Sequence, residues 1–62
     1  MKEGMTSFET QMLNKCYYKH GYTFMILKCY REAIDCFRRA INFKEEDHKS
    51  YFRLAMTYFL DV

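Results

Sequence analysis

A chain of 62 residues is at most one small domain, marginally stable without partners and too short for the enclosed pocket of most enzymes. Half of its residues are hydrophobic and 19% aromatic, which excludes disorder by composition, while the absence of Pro and the presence of only two Gly favour helices over a turn-rich β fold. The net charge of +2 falls short of the basic stripe of a nucleic-acid binder, and no nucleic-acid partner is expected.

Thr6 followed by Glu9 has the spacing of a capping box and opens the first predicted helix, over about 6–28. Phe8, Met12, Cys16, Tyr17, Gly21, Phe24 and Leu27 then recur at three- and four-residue steps as its expected apolar stripe. Gly21 costs about 1 kcal/mol against Ala inside a helix, so its presence points to a neighbouring helix at close range. The second predicted helix covers about 31–44, with Ala33, Ile34, Phe37, Ala40 and Ile41 inward and Arg31, Asp35, Arg38, Arg39 and Asn42 solvated. Glu45-Glu46-Asp47 forms an acidic connection, with Asp47 as N-cap of a third helix from His48 to about Leu60. That helix is expected to turn Tyr51, Leu54, Ala55, Tyr58 and Val62 inward.

Shifted by 34 residues, Asn14–Leu27 falls onto His48–Asp61, with Lys15/Lys49, Tyr17/Tyr51 and Thr23/Thr57 identical. Tyr18/Phe52, Lys19/Arg53, Gly21/Ala55, Phe24/Tyr58 and Ile26/Leu60 are near matches. This period is that of a helix–turn–helix solenoid. The string Tyr17–Gly21–Phe24, then Leu27 to Ile34, then Phe37 and Ala40, resembles one complete tetratricopeptide repeat. Tyr51–Leu54–Ala55–Tyr58 is similar to the first half of another. His20 stands where that family has Leu, and Glu45 where it has the helix-ending Pro. The resemblance implies an all-α fold, an antiparallel helix hairpin plus a third helix, as a fragment of a right-handed solenoid. It divides the chain into a repeat over 14–47, half a repeat over 48–62, and an extension or cap over 1–13.

Lys15 and Lys19 share one helix face, and Lys49 and Arg53 repeat the pair in the next unit. The resemblance puts both pairs on the concave side, with Tyr18, Tyr22, Phe52 and Met56 beside them. Such a groove would bind an acidic peptide or a partner protein through charge-assisted hydrogen bonds. Lys49-Ser-Tyr-Phe-Arg53 is similar to half of the clamp by which some members of the family hold chaperone C-terminal tails. The other half is missing, because Tyr18, Lys19 and Tyr22 occupy its places.

The alternative is a scaffold piece that self-associates or docks on a larger assembly through an open apolar end, with Leu54, Tyr58 and Val62 as its assembly face. The chain is therefore expected to be incomplete alone.

Neither catalysis nor a cofactor is expected. Cys16 and His20 lie one helical turn apart, yet no C-x-x-C pair accompanies them, so no metal site is expected and both cysteines, Cys16 and Cys36, read as small core residues. Arg38, Arg39, Lys28 and Arg31 are interleaved with Glu32 and Asp35 and read as solvated charge. Residues 1–10 lack the apolar core of a signal peptide, and the longest apolar run is Phe24–Leu27, against the roughly 20 residues that span a bilayer. Three cysteines do not make a disulfide framework. The expectation is a soluble, reduced, cytoplasmic chain with no membrane partner.

Overall fold

Residues 6–62 are described by a computed structural model of the protein. Three α-helices account for the fold: α1 (Ser7–Ile26), α2 (Tyr30–Phe43) and α3 (His48–Leu60). They form an antiparallel hairpin plus a third helix, with α2 packed against α1 along its length and α3 packed mainly on α2. The extension or cap expected over residues 1–13 lies in part outside the described residues. From Ser7 onward its residues belong to α1.

Local chemistry sets each boundary. The Thr6 hydroxyl accepts from Glu9 N at 3.0 Å while Thr6 N donates to Glu9 Oε1 at 3.0 Å, a complete capping box. At the other end of α1, Lys28 N donates to the Met25 carbonyl and Cys29 N to the Phe24 carbonyl. This is a Schellman closure, and it holds Lys28 at φ 65°, where glycine is usual. A side chain there costs roughly 1 kcal/mol. Asp47 caps α3 by accepting from Ser50 N at 3.2 Å.

The core is small. Ala33, Phe37 and Ala40 of α2 are its fully buried apolar side chains among the described residues, at 0% exposure. Ile34 and Ile41 flank them half-buried, while the expected solvated set from Arg31 to Asn42 is exposed. Phe37 packs over Gly21, and its ring centroid lies 5.8 Å from that of Tyr18. Tyr17 stacks on Phe43 at 5.8 Å with 7° between the planes.

Two expected stripes are corrected. On α1, Phe8, Met12, Cys16 and Leu27 are exposed, and the inward face is Leu13, Asn14, Tyr17, Tyr18, Gly21 and Phe24. On α3, Tyr51 (48% exposed), Ala55, Tyr58 (51% exposed) and Val62 point to solvent, and Leu54 is half-buried. Ser50 and Thr57 are the buried residues of α3. The reason is that small side chains let α3 approach α2. Their hydroxyls are satisfied locally, Ser50 Oγ donating to Asp47 Oδ2 at 2.5 Å and Thr57 Oγ1 to the Arg53 carbonyl at 2.7 Å.

A Cβ at residue 21 would meet Phe37 Cδ1 and Cε1 at 2.8 Å and Cζ at 3.0 Å. Overpacking of this kind costs about 1–3 kcal/mol, against about 1 kcal/mol gained in helix propensity. Gly21→Ala is therefore expected to lower the denaturation midpoint, and adding Phe37→Leu to recover part of the loss. A Gly21→Ala variant more stable than the parent would show that close packing on Phe37 is not what keeps glycine here.

Candidate functional site

The middle of α1 and the N-terminal end of α3 are joined by a buried polar knot. Asn14 Nδ2 donates to the Ala40 carbonyl and to Asp47 Oδ2, each at 2.8 Å, and so ties α1 to the end of α2 and the start of α3. Burial alone would push the Asp47 carboxyl up. Hydrogen bonds from Ser50 Oγ, Asn14 and Ser50 N, together with the Lys44 charge, hold it below its ordinary value.

This knot sets α3 beside α1, and the side chains between them form a basic groove floored by tyrosine. Arg53 Nε donates to Tyr18 Oη at 3.3 Å, and its guanidinium carbon lies 5.0 Å from the Tyr22 ring centre and 5.8 Å from that of Phe52. Lys49 Nζ sits 5.6 Å from the centre of the Tyr18 ring. Met56 Sδ is 4.0 Å from Arg53 Nη1. Two adjoining clefts result. One of about 330 Å³ is lined by Tyr18, Lys19, Tyr22, Thr23 and Arg53. The other, about 370 Å³, brings Lys15, Lys44 and Lys49 together with Asn14 and Asp47, and shares Tyr18 and Lys19 with the first.

Of the residues expected in the groove, Lys15, Tyr18, Lys19, Tyr22, Lys49 and Arg53 line the clefts, whereas Phe52 and Met56 reach them only through Arg53. Lys44 and Asn14 were not foreseen. The one ion pair among the described residues is Arg39–Asp35 at 3.1 Å, on the exposed side of α2, so none of the groove cations has an acidic partner at salt-bridge distance there.

Leu54, Tyr58 and Val62, expected as an assembly face, lie outside the clefts. With Tyr51, Ala55 and Phe59 (79% exposed), Tyr58 and Val62 make an apolar stripe along α3.

Cys16, Cys29 and Cys36 are free thiols. Cys16 is exposed rather than a core residue, with Sγ 3.9 Å from Nε2 of the exposed His20. Cys36 is half-buried, and burial pushes its thiol up, away from the thiolate. Among the described residues no three His, Cys, Asp or Glu side chains converge as metal ligands, and no helix is long and apolar enough to cross a membrane.

No protein-family model, curated protein or solved structure matches the chain. The likeness to tetratricopeptide repeats thus rests on the residues quoted above.

Because the folded carboxyl of Asp47 is acidified, the stability it contributes is present above the ordinary carboxylate range near about 4 and is lost as pH falls below it. Thermal midpoints measured between neutral and acidic pH should therefore fall more steeply for the parent than for Asp47→Asn. Parallel curves for the two chains would remove the Asp47 knot as an acid-sensitive support.

Proposed function

We propose that the chain is a non-enzymatic interaction module of tetratricopeptide type that binds an acidic segment of a partner protein in the groove between α1 and α3. One observation carries this reading: Lys15 and Lys19 from one helix, and Lys49 and Arg53 from another, converge on Tyr18 without acidic partners at salt-bridge distance among the described residues. Unpaired cations at the rim of an aromatic floor attract carboxylates and supply apolar contact to the peptide chain between them. The 34-residue self-match supports the repeat reading, because it places the two cation pairs at equivalent positions of successive units. Chaperone tails remain within this ligand class, though the clamp for them is half built.

A second reading is favoured by the same register. Tyr17, Gly21 and Phe24 of α1 are buried or half-buried, α1 being the helix packed along α2, and their counterparts Tyr51, Ala55 and Tyr58 on α3 are exposed. α3 thus offers the face by which α1 holds its partner helix. Self-association or docking in a larger assembly would cover it. A scaffold role is the function that follows.

The double variant Lys19→Glu/Lys49→Glu should weaken an acidic fluorescent peptide at least about tenfold in anisotropy titrations, with helical circular dichroism unchanged. Undiminished binding would remove the groove from the function. For the second reading, light scattering after size exclusion should show a concentration-dependent oligomer that Tyr58→Asp dissociates. A parent chain that stays monomeric at high concentration would sink self-association.

A further inference from the structure

The larger cleft gathers more positive charge than a carboxylate needs. Lys15 and Lys19 come from α1, Lys44 from the turn after α2, and Lys49 from the first turn of α3. The one carboxylate among its lining residues, Asp47, is 8% exposed and committed to Asn14, Ser50 Oγ and Ser50 N. Its remaining charge offsets one cation, leaving an excess of three on a cleft of about 370 Å³. A carboxylate brings one charge and two acceptor oxygens. A phosphomonoester brings about −1.5 to −2 at neutral pH and three strong acceptor oxygens. Ammonium groups on flexible stems, arriving from three segments of the chain, can meet a roughly spherical phosphate as point charges from several sides.

Beside this cleft the Tyr18 ring and the Tyr22–Arg53 pair continue the groove, so a peptide whose phosphate sits among the lysines can lay its neighbouring residues on tyrosine. We propose that the Lys15–Lys19–Lys44–Lys49 cleft is a receptor for a phosphorylated serine or threonine side chain within an acidic partner segment. This rests on the groove reading above and narrows its ligand. Lys44, which is absent from the paired Lys/Arg pattern, is the residue that turns a groove for acidic peptide into a site for a dianion.

The test uses the full chain and three peptides that differ only at a central Ser, Glu or phosphoserine, followed by fluorescence anisotropy. The phosphoserine peptide is expected to bind about tenfold more tightly than the Glu peptide, and inorganic phosphate to displace it. Lys44→Gln should abolish that preference while leaving the Glu peptide nearly unaffected. Lys44 is exposed, so helical circular dichroism should be unchanged. Equal affinity for the Glu and phosphoserine peptides would overturn the phosphate inference and leave the acidic groove standing. Failure of both acidic peptides to bind would overturn the two together. An RNA oligonucleotide of matched charge binding as tightly as the phosphopeptide would overturn it as well, since the cleft would then be a general polyanion surface.

Discussion

The buried carboxamide of Asn14 is the point on which the arrangement of the three helices depends. Its two N–H groups reach the last turn of α2 at the Ala40 carbonyl and the cap of α3 at Asp47. A chain with three fully buried apolar side chains among its described residues has little hydrophobic area with which to fix helix angles. A hydrogen bond to a charged group, at about 1.5–3 kcal/mol when its loss leaves that group unsatisfied, is then large against the total. Its geometry is also specific in a way that aromatic packing is not. Among the described residues no buried side-chain nitrogen or oxygen lacks a partner, so the knot carries no unpaired cost.

Capping explains how much of the fold was legible in the residues. Thr6/Glu9 and Asp47 mark helix starts through chemistry that is local, and the structure has helices beginning there. The α2 stripe was legible because Ala33, Phe37 and Ala40 stand out against the charged residues between them. On α3 three interleaved stripes compete, and all are apolar in part: 50–54–57, 49–53–56–60 and 51–55–58–62. Hydrophobic periodicity selects the bulkiest of these, 51–55–58–62. Packing selects the smallest, because α3 lies close to α2, and Ser50 and Thr57 satisfy their hydroxyls on the Asp47 cap and on the Arg53 carbonyl one turn back. Size at the contact, rather than hydropathy, decides which face turns inward.

The groove was legible in the same limited sense. Residues four apart on one helix share a face whatever the tertiary structure, so Lys15 with Lys19 and Lys49 with Arg53 could be paired from spacing alone. Lys44 and Asn14 could not. Lys44 sits where α2 ends, and its approach to the cleft depends on the direction of the α2–α3 turn. Asn14 has a polar side chain on an otherwise apolar face, a pattern that marks a satisfied buried amide only once its acceptors are known.

The aromatics of the two surfaces differ in how water meets them. In the groove, Tyr18 lies under Lys49, and Tyr22 and Phe52 lie against the Arg53 guanidinium. Each contact is worth about 0.5–1 kcal/mol at such exposure and keeps a hydrated charge over the ring face. Among the described residues no cation covers Tyr51, Tyr58 or Phe59. Lys49 and Arg53 are therefore already ordered on rings, with less side-chain entropy left to lose in any further contact. The α3 stripe has no such cover, and burial against another apolar surface is the way its hydration cost is removed. One helix thus presents a cationic face with its rings covered and, nearly half a turn around, an uncovered apolar face, with the buried Ser50 and Thr57 between them.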